Sequence, residues 1–101
     1  MIYLLRALAE LAEHPAVREV AVVARSHPKW GERPMAFVIL TPSAEKEYAG
    51  RHHDFEIELK KFARTKLPGF ATPEWVRVVD ELPVRSYFLA IDLILMNNYH
   101  A

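Results

Sequence analysis

The spacing of apolar positions changes several times along the chain, and each change marks an element. From Ile2 to Glu13, Leu4, Leu8 and Leu11 recur at helical intervals while Arg6, Glu10 and Glu13 fall on other faces, which predicts an amphipathic helix. Pro15 stops it. Within Val17 to Arg25, the short β-branched run Val20-Ala21-Val22-Val23-Ala24 predicts a central strand covered on both faces. Ser26 to Pro34 has the composition of a turn, with Pro28, Gly31 and Pro34, and Ala36 to Leu40 follows as a second buried strand. The two strands predict a hairpin. Thr41 to His53 is polar without an apolar period and is expected to be a loop. Asp54 then opens a helix in which Phe55, Leu59, Phe62 and Ala63 share a face. Its acids sit early and its bases late, and Pro68-Gly69 end it. Trp75 to Val79 predicts a third strand, closed by Asp80, Glu81 and Pro83.

Apolar stripes on the helices and apolar strands between them imply an α+β domain over residues 1–83, a three-stranded sheet covered by two helices in the order αββαβ. The pattern breaks after Pro83. Tyr87 to Met96 is nearly all apolar with neither helical stripe nor strand alternation, so residues 84–101 read as a divergent apolar tail without an assigned structure. At about half a bilayer span, and interrupted by Asp92, this run does not predict a membrane span. It is instead the expected point of any self-association.

Composition narrows the function. With 101 residues the chain is one small domain, and 13 basic against 13 acidic residues leave no net field to attract nucleic acid. The absence of cysteine excludes disulfides and thiolate nucleophiles, and it fits an intracellular compartment: cytoplasm, peroxisome or mitochondrion. His52 and His53 with Asp54 and Glu56 are metal-ligand types, but adjacent residues rarely face one ion and a third ligand at helical spacing is missing, so no metal site is expected. His14 and His27 each precede a proline at a turn, which suits loop geometry better than catalysis.

The segment from His14 to Val23, HPAVREVAVV, resembles the HPAVxEAAVV signature of acyl-CoA synthetase lid domains. His27 to Val38 is similar to the same family's PDxxWGExPxAFV turn and strand, in order and in register. Phe62 to Pro68 resembles the helix end of these domains, and Val79 to Pro83 resembles their VDELP segment. The resemblance covers residues 14–83 and points to the C-terminal lid of adenylate-forming ligases, nearest to the medium-chain acyl, butyrate and oxalate ligase branch. It implies a parent enzyme that uses ATP, Mg and CoA to convert a carboxylate to acyl-AMP and then to acyl-CoA. The implied partner is the N-terminal adenylation domain, against which the lid rotates.

The same resemblance implies a catalytic lysine at the end of a TxxGK motif after DELP. Here the six residues after Pro83 run Val84 to Leu89, so Phe88 stands at the glycine position and Leu89 at the lysine position, and no lysine follows Lys66. The family's hinge and glycine-rich GGxNI stretch would precede Met1. The expectation is therefore a lid fragment with no catalytic residue of its own, binding no cofactor alone. The alternative is a free-standing, non-catalytic interaction module that uses the lid fold and the apolar tail. The resemblance places Trp30, Gly31 and Glu32 near the interdomain face and Lys66 near the phosphates of CoA. Against this stand plainer roles: Trp30 closing the core edge, Gly31 supplying the turn, Glu32 pairing with Arg33, and Lys66 favouring a helix C-terminus.

Overall fold

A computed structural model describes residues 2–82; the tail discussed above lies outside the described residues. Helix α1 spans Ile2–Ala12, β1 Val17–His27, β2 Gly31–Leu40, α2 Pro42–Glu47 and α3 His52–Lys66. A 3-10 turn at Gly69–Ala71 leads into β3, Trp75–Val78. The strands form one sheet in the order β1-β2-β3. β1 and β2 pair as the expected antiparallel hairpin, from Val17 opposite Leu40 to His27 opposite Gly31. β2 and β3 run parallel, Met35 opposite Trp75 through Val38 opposite Val78, so the intervening helices form the crossover that parallel strands require.

The α+β class and the three-stranded sheet agree with the sequence pattern, and three elements differ from it. β2, not β1, is the central strand. The β-branched run of β1 reports cover on both faces, which an edge strand can also have, and not the number of hydrogen-bonded neighbours. The segment expected to be a loop contains α2, where Thr41 Oγ1 accepts the Ala44 N–H at 3.3 Å and Pro42 opens the first turn. The third helix begins at His52, two residues before Asp54. Gly50, with φ at 74°, makes the bend that allows this, and the Arg51 guanidinium bridges the Glu47 carbonyl at 2.8 Å and Asp54 at 3.4 Å.

One face of the sheet packs on the helices: Ala36, Val38, Leu40 and Val76 meet Ala7 and Leu11 of α1 and Phe55, Leu59 and Ala63 of α3. On the other face Val23, Met35 and Phe37 are buried with Trp75, Val79 and Leu82 against them. Arg25 is buried on that face as well, its guanidinium 4.3 Å from the Trp75 ring centre and 3.9 Å from Met35 Sδ. Burial lowers its pKa, and the nearby charge of Arg77 adds to the effect.

Glu56 is buried on α3, although a carboxylate would ordinarily face water. Its Oε2 accepts the Val78 N–H at 3.0 Å, while Val79 N–H turns the other way to Val38 in the sheet at 2.9 Å. Glu56 thus satisfies a β3 amide on the side away from β2 and ties that strand to the helix. Replacing Glu56 with Ala is expected to cost about 1 to 3 kcal/mol in urea unfolding, because the Val78 amide loses its acceptor. Glu56→Gln keeps an acceptor oxygen and should recover most of that loss; equal losses in the two variants would sink the assignment.

Candidate functional site

The hairpin tip is built by backbone chemistry. His27 Nδ1 accepts the N–H groups of Lys29 at 3.0 Å and Trp30 at 3.2 Å, and Gly31 then takes φ at 83°, a left-handed conformation that side-chain-bearing residues adopt at a cost. This geometry pushes Trp30 outward until 63% of it is exposed, with Lys29 Nζ 4.9 Å above the ring. Trp30 therefore does not close the core edge. Glu32 is exposed beside it and forms no ion pair with a described residue.

The cation next to Glu32 turns elsewhere. Arg33 donates to the carbonyls of Phe70 at 3.0 Å, Gly69 at 3.1 Å and Thr72 at 2.8 Å, and its Nε meets Glu74 Oε1 at 3.3 Å. One side chain of β2 thereby holds the 3-10 turn and the entry to β3, a use suited to the rigid guanidinium fork. The turn projects Phe70, also 63% exposed, and Tyr3 of α1 approaches it edge-on at 6.5 Å. Together these residues line a groove of about 600 Å³. A smaller hollow of about 270 Å³ lies beside it, sharing Arg33, Gly69 and Glu74 and adding Lys60 and Arg64 of α3.

The sequence-selected residues separate here. Trp30 and Glu32 line the groove and Gly31 forms the turn between them; Lys66, at the end of α3, is exposed, lies 5.7 Å from the Phe62 ring centre and is not part of the lining. His52 and His53 diverge, one meeting Glu45 at 2.8 Å and the other Glu56 at 3.4 Å. Among the described residues no three acidic or histidine side chains gather as a metal site. Tyr3, Arg33, Phe70 and Glu74 complete the groove without having been singled out. Only two local signals point to them: a cation beside the proline entering an apolar strand, and an aromatic residue immediately after a helix-ending Pro-Gly pair. The groove's cation is already engaged by three carbonyls and Glu74, so these residues do not fit a phosphate.

His14 has a structural place. Its Nδ1 accepts the Ala16 N–H at 3.0 Å, and its ring packs edge-on against Phe55 at 5.4 Å and Phe62 at 4.9 Å. Burial lowers its pKa below the usual 6.5, opposed by the charge of Glu58.

A projecting hairpin tip on a helix-covered three-stranded sheet makes this a small α+β domain. The chain belongs to the AMP-binding enzyme C-terminal domain family, whose sequence model matches residues 9–86. It is 45% identical over 73 residues to the peroxisomal trans-cinnamate:CoA ligase of Petunia hybrida, covering 72% of this chain and 11% of that enzyme. An acyl-CoA synthetase from Brucella canis superposes with a TM-score of 0.72 at 28% identity, over 96% of this chain and 18% of that one. A benzoate CoA ligase from Burkholderia xenovorans superposes at 0.66 with 30% identity, over 81% of this chain and 16% of that one. The chain thus spans a small part of the length of each relative. Among the described residues, no helix is long and apolar enough to cross a membrane.

Arg33→Lys supplies a charge without the fork and is expected to destabilise the domain by about 1 to 3 kcal/mol, with a changed near-ultraviolet signal from Trp30. For His14, a folded pKa below the unfolded one means that the unfolded chain takes up the proton first. Its contribution is present above about pH 6.5 and declines as pH falls from there toward the lowered value. Thermal unfolding of His14→Gln should accordingly show a shallower loss of stability below about pH 6.5 than the parent chain.

Proposed function

We propose that this chain serves as the lid of an ATP-dependent acyl-CoA ligase, closing on an adenylation domain during conversion of a carboxylate to its CoA thioester. The family match over residues 9–86 carries this reading, and the exposed Trp30-Gly31-Glu32 tip supports it as the part that meets the larger domain or the CoA entering between them. ATP, Mg and CoA are the cofactors of such a reaction. Lys66, exposed at the end of α3, is placed toward CoA on the resemblance alone. Four relatives carry peroxisomal names, which supports a peroxisomal setting.

In this reading the chain is not catalytic by itself. A lysine ammonium reaching the reacting carboxylate and α-phosphate would offset charge that develops in the transition state. Leu89 stands where the family motif puts that lysine, and an aliphatic side chain offers no such compensation. What remains is the second task of a lid, shaping the site in which a preformed acyl-AMP meets a thiol.

The test is a chimera in which this chain replaces the matching C-terminal segment of the Petunia enzyme, with the two half-reactions measured separately. Thioester formation from supplied acyl-AMP should exceed that of the enzyme lacking any lid, while pyrophosphate release stays low. Introducing Phe88→Gly together with Leu89→Lys should raise pyrophosphate release about 100-fold. A chimera no better than the lidless enzyme in the thioester step would rule out the lid role.

A further inference from the structure

His27 holds the hairpin tip through one atom that a proton can take. Its Nδ1 accepts the N–H groups of Lys29 at 3.0 Å and Trp30 at 3.2 Å, so that nitrogen carries no proton and the ring is the neutral tautomer with its proton on Nε2. The side chain is 16% exposed, which leaves water little room to take over both amides. Counted back from the tryptophan of the PDxxWGExPxAFV pattern, the position of His27 is that of an aspartate. A carboxylate accepts backbone N–H groups at any pH above about 4, whereas an imidazole nitrogen does so only while it is unprotonated. Histidine at this position keeps the cap and adds a titration.

The charges around the ring give its protonated form another place to go. Nε2 lies 3.9 Å from Glu74 Oε2 at the entry to β3, while Arg33 of β2 meets the other oxygen, Oε1, at 3.3 Å. The Trp75 ring is 6.0 Å away and tilted, and the Arg25 guanidinium lies 4.3 Å from the centre of that same ring. Across the hairpin His27 pairs with Gly31, and the adjoining pair is Ser26 with Glu32. The tip's own cation, Lys29, has its Nζ 4.9 Å over the Trp30 ring. Lys29, Arg25 and Arg33 oppose a charge on His27, and Glu32 and Glu74 favour it; of these, Glu74 is the group within ion-pair reach.

We propose that His27 is a pH-sensitive positioning residue. Neutral, it caps the tip amides and fixes Trp30; with a proton taken from solvent at Nδ1, it gives up both amides, pairs with Glu74 and lets the tip open. The sign follows from which form accepts: the cap is complete while the ring is neutral and is lost as pH falls through the range in which histidine charges, about pH 8 to 5. The device belongs to the folded chain and does not rest on the lid reading.

The experiment is amide exchange of the 101-residue chain followed by NMR between about pH 7.5 and about pH 5, each rate divided by that of an unstructured peptide at the same pH. Protection at Lys29 and Trp30 should fall about tenfold in step with the charging of the His27 ring, while Phe37, in the middle of β2, keeps its protection. His27→Asn retains a neutral acceptor and should hold both amides without pH dependence. His27→Phe keeps a ring beside Trp75 without an acceptor and should show the low protection at every pH. In Glu74→Gln the loss should set in at lower pH, because the charged ring has no carboxylate to pair with. Protection at the tip that ignores pH in the unaltered chain, that falls equally in His27→Asn, or that falls by the same factor at Phe37 overturns the proposal. An unchanged onset in Glu74→Gln overturns the transfer of the ring to Glu74. A variant that does not fold shows no protection at Phe37, and the unaltered chain then decides.

Discussion

Everything in this domain answers to the demand of one strand. β2 is hydrogen-bonded on both edges and apolar on both faces, and Met35, Ala36, Phe37 and Val38 are completely removed from solvent. A ten-residue strand in that position needs a partner on each edge and cover on each side. The hairpin supplies one edge. β3, returned by the crossover through α2 and α3, supplies the other, and α1 and α3 cover one face. Glu56 belongs to the same scheme, since the last strand to join has a backbone donor on its outer side that must find an acceptor away from water.

The site follows from where this core stops. β2 begins at Gly31, but β3 pairs with it only from Met35 onward, so the first residues of β2 project beyond the sheet's second edge. Pro34, which has no N–H to offer, is tolerated there, and its carbonyl accepts the Glu74 N–H at 2.9 Å. Arg33 sits in the same overhang and reaches across to the turn that precedes β3. The groove is consequently made of rigid parts: a strand end, a helix start and a turn tied down by a guanidinium. Binding energy at such a surface is not lost to ordering loops.

Local pattern carried much of this into view. The stripe of α1 and the apolar face of α3 are visible as residue spacing, though Ala7 is buried with Leu4 and Leu11 where Leu8 is only half-covered. α2 escaped an apolar-period search because a six-residue helix with one buried side chain, Ala44, has no period to show; its signal is the Thr41-Pro42 cap. The position of β1 at the edge was not legible, because strand order depends on which partner the third strand chooses. Nor was the groove. Trp30 and Glu32 were found through a motif, but Arg33 and Phe70 are joined by a contact spanning 37 residues, and neither carries a mark of that contact in its neighbours.

The parallel pairing of β2 and β3 has a kinetic consequence. The hairpin closes around a few residues, whereas the Arg33–Glu74 contact closes a loop of 41, and the entropy of closure grows with that length. Assembly therefore has a natural sequence, with the hairpin early and the β3 junction late. Trp30 is in its place with the hairpin, but Phe70 takes its position opposite only when the last strand docks. A folding intermediate with two strands would display half of the aromatic pair and lack the Arg33–Glu74 contact, so the groove emerges only with the completed sheet.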